Sequence, residues 1–363
     1  MENKKLQSIV AQFALDAPVV EIKPLGAGFI NDTFMVNTVG IASDYILQRK
    51  NKTIFTDVPA MMNNICMVTE HIRHKVVAAG GDPLREVLTV VKTQSGELCY
   101  RDAEGEYWAM CVFIGNSVTY QRADSPALCY KGGQGIGRFQ SQLADFGQPL
   151  FETIKGFHNI RWRFVQWDES LKVDKAGRVG CLSQEIDWIN SRRDEMLNFW
   201  QKVETGEIPM RVTHNDTKIS NILFDEQGEV LCVIDLDTVM SSTSLNDFGD
   251  AIRSYTNTGA EDDKELDKVS MDIELFKSYT EGYLSERKAT LTSSEKEWLA
   301  FSARYITYEQ ILRFLMDYID GDTYYKIAYP EHNLVRTHAQ YRLLQSMESQ
   351  YEEMCNIVRH NCC

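Results

Sequence analysis

The segment at residues 212–237 constrains this chain more than any other part of its sequence. It reads VTHNDTKISNILFDEQGEVLCVIDLD. One residue separates His214 from Asp216, and Asn221 follows that aspartate after five residues. An apolar run then ends in the acidic residue Asp235. Polar side chains in this order, with strand-like apolar residues between them, indicate a chemical site built around a pair of strands.

Geometry explains why two of these residues belong together. The turn signal at residues 225–228 separates two apolar segments, which predicts a hairpin of Ile222–Asp225 with Leu231–Ile234. Such a hairpin brings Asn221 and Asp235 to the same end. Amide and carboxylate oxygens are ligands that suit Mg²⁺, which also keeps several of its waters. The sequence therefore predicts that Asn221 and Asp235 bind Mg²⁺.

The same spacing indicates phosphoryl transfer. In kinases a catalytic-loop aspartate receives the proton of the attacking hydroxyl, and an asparagine and a second aspartate hold the magnesium that bridges the nucleotide phosphates. Asp216 is accordingly the predicted catalytic base, because an oriented carboxylate can accept that proton late in transfer. We expect His214 to orient the loop by hydrogen bonding to the neighbouring backbone. The expected cofactors are ATP and Mg²⁺.

The chain resembles the aminoglycoside phosphotransferase and choline kinase superfamily, and within it the N-acetylhexosamine 1-kinases. The likeness to the superfamily is carried by HNDTKISN, VIDLDTVM and LNDFGDAIR, and together the matches extend over about residues 25–325. The likeness to the sugar kinases is carried by INDTF at 30–34, YILQR at 45–49, FIGNSVTYQ at 113–121 and RFLMDYIDGDTYY at 313–325.

The resemblance implies a two-lobe, protein-kinase-like α+β fold with ATP in the cleft between the lobes. The expected N-lobe (1–115) has a small antiparallel sheet and one long helix, and the expected C-lobe (116–363) is larger and mainly helical. The length of 363 residues supports two lobes, because single cores stop growing near this size. Hydrophobic patterns predict a helix at Asp57–Ala79, and residues 146–182 have the composition of a long ordered loop.

The nucleotide side of the site is predicted around a turn of small residues. Such residues let backbone N–H groups approach phosphate oxygens closely. The lysine that grips the phosphates in kinases has no plain counterpart here: the resemblance assigns its position to Gln48, whereas charge favours Arg49. Side chains alternate along a strand, so only one of the two can point into the cleft, and the helix carboxylate partner of that cation, with Glu70 as the candidate, is left open. The predicted nucleotide-binding residues are Gly26, Gly28, Asn31, Thr33, Gln48, Arg49, Cys111 and Phe113.

Asp247 invites a different interpretation of the metal site, because Asp247-Phe-Gly spells the DFG of protein kinases. It lies 26 residues past Asn221, however, whereas Asp235 lies 14 past it. A hairpin needs only the shorter distance. We therefore predict that Asp247 is a buried structural carboxylate that accepts backbone N–H bonds from the catalytic loop.

The acceptor side is predicted from the late segment. The resemblance implies that Arg313 and Tyr324 line a sugar pocket together with Asp216. Arg313 and Asp317 are four residues apart and share a helix face, so a surface salt bridge is the alternative. Lys218 is either a cation for the γ-phosphate or an exposed lysine.

The resulting hypothesis is ATP-dependent phosphorylation of the anomeric hydroxyl of N-acetylglucosamine or N-acetylgalactosamine. Other small acceptors, namely an amino alcohol, homoserine or an aminoglycoside, stay open. An idle nucleotide-binding protein is another alternative, as is a metallohydrolase with a transition metal held by His214, Asp216, Asp235 and Asp237.

Composition limits the partners. The net charge of −14, with no long basic run, argues against nucleic acid and against an anionic membrane surface. No apolar stretch reaches the length of a membrane span, and no signal peptide is expected. The 9 cysteines are scattered without metal-binding spacing, which is typical of a reducing cytoplasm. The expected state is a monomer or homodimer.

Overall fold

The computed structural model describes residues 2–26, 30–40 and 43–362, and it has the predicted α+β class. The strands are β1 (Val19–Pro24), β2 (Asp32–Thr38), β3 (Tyr45–Lys50), β4 (Val90–Val91), β5 (Tyr100–Arg101), β6 (Tyr107–Val112), β7 (Arg211–Thr213), β8 (Ile222–Phe224), β9 (Val230–Val233) and β10 (Met240–Ser242). The helices are α1 (Glu2–Val10), α2 (Val58–Ala78), α3 (Pro126–Gln142), α4 (Ile160–Val173), α5 (Ser183–Asn190), α6 (Arg193–Glu204), α7 (Ser244–Tyr255), α8 (Ile273–Arg287), α9 (Ser293–Ile319), α10 (His332–Ser349) and α11 (Tyr351–Cys362). Short 3₁₀ turns occupy Val179–Cys181, Ile219–Asn221, Leu236–Thr238 and Leu266–Lys268.

The chain forms two compact units, each built from separated segments. The first comprises Met1–Thr119, Asp145–Lys155 and Ile222–Met240. The second comprises Tyr120–Ala144, Gly156–Asn221 and Ser241–Cys363. The first unit carries the antiparallel sheet and the second is mainly helical, which confirms the predicted fold class. The assignment of residues 1–115 and 116–363 to two kinase lobes stays a prediction.

The sheet of the first unit has the strand order β1-β2-β3-β6-β4, with β5 paired to β6. Along β3, Tyr45 and Leu47 point into the core with Trp108 and α1. Because side chains alternate along a strand, Gln48 and Lys50 point to the opposite face. The sheet thus has one apolar face and one face that carries polar side chains.

Helix α2 has the predicted position and the predicted start. The side chain of Asp57 accepts a hydrogen bond from the backbone N–H of Ala60, as an N-cap does, and Gly80 follows the helix with φ 77°. Asn64, buried in the middle of the helix, donates to the carbonyls of Phe151 (2.8 Å) and Val239 (3.0 Å). One amide therefore ties both later segments of the first unit to α2.

The predicted hairpin is also present. Strands β8 and β9 are antiparallel, with Ile222 opposite Val233 and Leu223 opposite Cys232. Gly228 adopts φ 82° in the turn between them. Leu223 and Cys232 pack with Ile114 in a small apolar cluster of the first unit. The hairpin supplies the strand end at which Asp235 lies.

The second unit is organised around the long helix α9, against which α7 and α10 pack. Thr292 and Glu295 form a capping box at its start. Helices α3 and α8 pack so closely that a Cβ on Gly133 would collide with the carbonyl oxygen of Tyr279, which explains the glycine there. The expectation of a loop over residues 146–182 is wrong, because α4 begins at Ile160 within it.

Among residues 2–26, 30–40 and 43–362, no helix combines the length and apolar character needed to cross a bilayer.

Candidate functional site

One buried carboxylate, that of Asp247, accepts hydrogen bonds from the backbone of the loop that carries Asp216. The backbone N–H groups of His214 and Asn215 donate to the two oxygens of Asp247, at 2.9 and 2.7 Å. Gln140 donates a third hydrogen bond at 2.8 Å. Burial raises the pKa of Asp247, and its contacts with the loop act in the opposite direction. These are contacts of a loop-organising carboxylate, the role predicted for Asp247.

Asp216 projects from this loop with its carboxylate 26% exposed. Its backbone N–H donates to Nδ1 of His214 at 3.2 Å, so the histidine braces the loop locally. The amide nitrogen of Asn221 donates to the Asp216 carbonyl (2.9 Å) and to its carboxylate Oδ2 (3.3 Å). Lys218 Nζ lies 2.9 Å from Oδ1, and this contact raises the pKa of Lys218. The carboxylate is thus oriented, partly accessible and next to a cation.

A second buried carboxylate, Asp250, supports the same loop. The backbone N–H of Thr217 donates to Asp250 at 2.8 Å. Arg253 donates to Asp250 (3.1 Å) and to Glu261 (2.8 Å). Burial disfavours ionisation of Asp250, but Arg253 and Lys218 outweigh it and lower the pKa of Asp250 below its usual value. Sequence reasoning missed this residue, although it follows Asp247 by three positions and so lies on the same face of α7.

A cluster of charged side chains contacts the same loop through His158. Glu309, fully buried in α9, contacts Nδ1 of His158 at 2.6 Å and Nε of Arg163 at 3.1 Å. His158 Nε2 lies 3.4 Å from the carbonyl oxygen of Asn215, in the catalytic loop. Burial opposes ionisation of Glu309, yet His158 and the nearby arginines hold its pKa at about 2. Glu309 is therefore an ionised carboxylate that anchors several cations, and sequence reasoning missed it.

Arg313 belongs to the same cluster, and aromatic rings lie around its guanidinium. Its guanidinium lies 4.0 Å from Glu309, and its carbon centre is 4.9 Å from the ring centre of Phe157. The rings of Tyr324 and Tyr325 lie at 5.8 and 5.7 Å. Burial disfavours the charge of Arg313, but Tyr325 and Glu309 outweigh it and raise its pKa. Only 9% of Arg313 is exposed, whereas Tyr324 is 52% exposed.

Asp317 does not form the surface salt bridge with Arg313 that was weighed as an alternative. It is 5% exposed, and it accepts backbone N–H bonds from Thr323 and Tyr324 (2.8 Å each) and from Tyr325 (3.0 Å). Asp317 therefore fixes the loop that follows α9. That loop carries both tyrosines that face Arg313.

In the first unit, two aspartates follow β9, and they differ in exposure. Asp235 is exposed and has a left-handed backbone with φ 59°. Asp237 is buried; its Oδ1 lies 2.7 Å from Lys50 Nζ, and its Oδ2 accepts a hydrogen bond from Asn31 at 2.7 Å. The exposed aspartate is the one predicted to bind Mg²⁺.

The predicted nucleotide residues lie at various places in the first unit. Gly26 has φ 67° in the turn after β1, whereas Gly28 lies outside the described residues. Arg49 is exposed and pairs with Asp32. Gln48 Nε2 lies 3.5 Å from the hydroxyl of Thr33, on the polar face of the sheet.

Cys111 lies opposite Ile46 on that same face, and burial raises the pKa of its thiol to about 11. Phe113 follows β6 and donates its backbone N–H to Asp44 at 2.8 Å. Lys50 was missed. Because side chains alternate along a strand, Lys50 lies on the same face of β3 as Gln48. This signal was available in the sequence.

The donors present fit a magnesium ion by their chemistry. Asp235 offers an exposed carboxylate, and because the amide nitrogen of Asn221 is engaged with Asp216, its oxygen is the atom left for a cation. Both are hard oxygen donors, as Mg²⁺ prefers. Within the described part of the chain, no group of three or more His, Cys, Asp or Glu side chains is placed to hold a metal.

Comparison with known proteins gives one family and several similar folds. The profile of the phosphotransferase enzyme family matches residues 21–274. A microcompartment-associated aminopropanol kinase is similar in structure, with a TM-score of 0.63 and 16% identity over 97% of this chain and 98% of that chain. Spectinomycin phosphotransferase in complex with ADP and spectinomycin has a TM-score of 0.55 and 14% identity, over 99% and 98% of the two chains. The ethanolamine kinase of Plasmodium vivax has a TM-score of 0.55 and 13% identity, over 94% and 86%.

Proposed function

This chain belongs to the phosphotransferase enzyme family, and on that basis we propose that it is a small-molecule kinase that transfers the γ-phosphate of ATP to a hydroxyl group. Asp216 is the base that orients the acceptor hydroxyl and receives its proton. Asn221 and Asp235 would hold a Mg²⁺ ion, which would supply positive charge to the nucleotide phosphates, and Lys218 compensates charge beside the base. The oriented, partly exposed carboxylate of Asp216 is the observation that carries this proposal.

We further propose that the acceptor is an N-acetylhexosamine and that the product is the sugar 1-phosphate. An anomeric hydroxyl is more acidic than an ordinary alcohol, so a carboxylate base has less proton affinity to overcome. Arg313 and Tyr324 recognise the sugar: a guanidinium donates to hydroxyl and carbonyl oxygens, and the exposed tyrosine ring offers a face for stacking.

The charge of the cluster around Glu309, which contacts the catalytic loop, supports an acceptor without a positive charge. Two arginines, Arg163 and Arg313, converge on the single carboxylate of Glu309. A cationic ammonium would meet uncompensated repulsion beside Arg313, because like charges at short range are costly when water is excluded. An N-acetylated amino sugar has no such charge, since its nitrogen is part of an amide.

A different observation favours an amino alcohol as a second candidate. Asp216, Asp250 and Glu261 all raise the pKa of Lys218, so acidic side chains act on this cation. A positively charged acceptor could bind on that side of the loop. The related folds include kinases named for aminopropanol and ethanolamine.

A screen of free sugars and amino alcohols for ATP-dependent phosphate transfer tests the proposal. Phosphorus NMR of the product distinguishes the outcomes. We expect N-acetylhexosamines to be phosphorylated at position 1, with 1-deoxy analogues binding without reaction. A phosphate at position 6, or turnover of amino alcohols alone, would contradict the sugar assignment. No ATP consumption with any acceptor would support an idle nucleotide-binding protein.

The wider assignments follow from the same proposal. The two kinase lobes correspond to residues 1–115 and 116–363. The scattered cysteines and the acidic composition fit a cytoplasmic enzyme that handles small metabolites.

A further inference from the structure

A buried lysine in the first unit has no role in the function proposed so far. Lys50 ends β3, and its side chain is 3% exposed. Its ammonium donates to Asp237 Oδ1 and to Gln48 Oε1, each at 2.7 Å. An ammonium has three donors, and within the described residues these two bonds account for two of them. The third donor of Lys50 has no partner among the described residues.

Lys50 lies at the end of the sheet where β2 begins. In the register of the sheet, Asp32 lies opposite Arg49, so β3 ends where β2 begins. Asn31, which directly precedes β2, donates to the second oxygen of Asp237 at 2.7 Å. The start of β2, the buried cation and the segment that contains Asp235 therefore meet at one place in the first unit.

The pairing differs from the usual kinase arrangement, in which the strand lysine pairs with a glutamate of the following helix. The helix candidate, Glu70, is exposed and lies 3.3 Å from Arg73 of its own helix. Arg49, the other cation of the strand, pairs with Asp32 at the surface. The acidic partner of the buried strand cation is instead supplied by the segment after β9.

Burial makes a purely stabilising role a weak explanation for this pair. Removing two charges from water costs several kcal/mol per ion, and apolar replacements of such pairs are often neutral or stabilising. We propose that Lys50 is the cation that contacts the nucleotide phosphates, and that Asp237 holds it in place as the helix glutamate does in other kinases. The inference rests on the proposed use of ATP, and it replaces Gln48 and Arg49 as candidates for that contact.

Nucleotide binding by the intact protein tests this inference without any acceptor. The Lys50→Met variant keeps the length of the side chain and removes its charge. We expect its dissociation constant for ADP, measured by calorimetry with and without Mg²⁺, to rise about 10- to 100-fold, as for the loss of one charge-assisted hydrogen bond. Adenosine affinity should stay unchanged, because adenosine carries no phosphate. The Lys52→Met variant is the matched control, since Lys52 pairs with Glu106 and is 46% exposed.

A double variant separates phosphate contact from a merely structural role. Lys50→Met with Asp237→Leu removes both buried charges, so folding does not suffer from an unpaired carboxylate. If Lys50 contacts phosphate, the double variant binds ADP as weakly as Lys50→Met, even where its melting temperature recovers. Recovery of wild-type ADP affinity in the double variant would overturn the inference.

The proposed function and the inference fail in different ways. A wild-type protein that binds neither ADP nor ATP contradicts the proposed function and the inference with it. A wild-type protein that binds ADP no more tightly than Lys50→Met contradicts the inference alone. Should the single variant not fold, the double variant still decides between these outcomes.

Discussion

At the scale of single residues, the structure separates carboxylates with different tasks by their surroundings. Asp216 is partly exposed and lies beside a lysine, whereas Asp247 is fully buried and accepts backbone N–H bonds. Asp235 is exposed at a strand end, and Asp237 is buried against Lys50. Spacing alone indicated Asp216, Asn221 and Asp235 as a set. Spacing could not reveal the partner of Lys50, because Asp237 lies 187 residues away in the sequence.

The base assignment predicts the behaviour of Asp216→Asn. An amide cannot accept the hydroxyl proton, so kcat should fall about 100-fold or more, as for loss of general-base catalysis. The KM for ATP should change little, because the nucleotide is bound by other residues. Steady-state kinetics with varied ATP checks this, and activity within a few-fold of wild type would rule out Asp216 as the base.

The metal assignment predicts opposite profiles for two other aspartates. Asp235→Ala should abolish magnesium-dependent turnover and should lower the melting temperature less than Asp247→Ala does, because the Asp235 side chain is exposed. Asp247→Ala should mainly lower stability, because each buried N–H left without an acceptor costs about 1–3 kcal/mol. Thermal unfolding and magnesium titration of both variants decide the matter. Loss of magnesium response in a well-folded Asp247→Ala protein would reverse the assignment.

At the scale of elements, regular apolar patterns predicted a helix and a hairpin correctly. A buried charge inside an apolar pattern made another helix harder to predict. Helix α2 and the β8–β9 hairpin follow from capping, turn and apolar signals in their own sequences. The mixed composition of residues 146–182 predicts a loop, but α4 forms there, and Ile160, Phe164 and Trp167 have helical spacing. Between them stands Arg163, a buried arginine whose partner Glu309 lies 146 residues further along. A charged residue inside an apolar stripe is explained only by such a distant contact.

The loop after α9 gives a prediction about acceptor binding. Asp317→Ala removes the acceptor of three backbone N–H bonds and frees the loop that carries Tyr324 and Tyr325. We expect the KM for the acceptor to rise about tenfold, on the order of one lost orienting hydrogen bond, with the KM for ATP unchanged. Asp320→Ala is the control, since Asp320 bonds to Ser170 instead of the loop backbone. Equal effects on both KM values would show that the loop serves stability alone.

At the scale of the whole molecule, one buried carboxylate links stability to pH. Glu309 has its pKa lowered from 4.5 to about 2 in the folded protein. A lowered pKa contributes stability above the unfolded value, near pH 4.5, and that contribution is lost as the pH falls towards 2. We expect the free energy of unfolding to decrease by on the order of 3 kcal/mol across this range from Glu309.

Urea unfolding at pH 6 and at pH 3 measures this contribution. The Glu309→Gln variant should be less stable than wild type at pH 6, because its arginine neighbours lose their counter-charge. Its stability should also decline less on acidification. Parallel pH dependence in the variant and the wild type would mean that Glu309 does not remain ionised as described.

The three-segment composition of the first unit has a consequence for protein synthesis. A ribosome that has produced residues 1–119 has not yet made Phe151, Val239 or Asp237. The buried Asn64 and Lys50 of the nascent chain then have no partners, so their polar groups cannot be buried without cost. The sheet can therefore reach its final packing only after about two thirds of the chain has emerged. A fragment that ends at residue 119 should remain open and prone to aggregation, although it contains every strand of the six-stranded sheet.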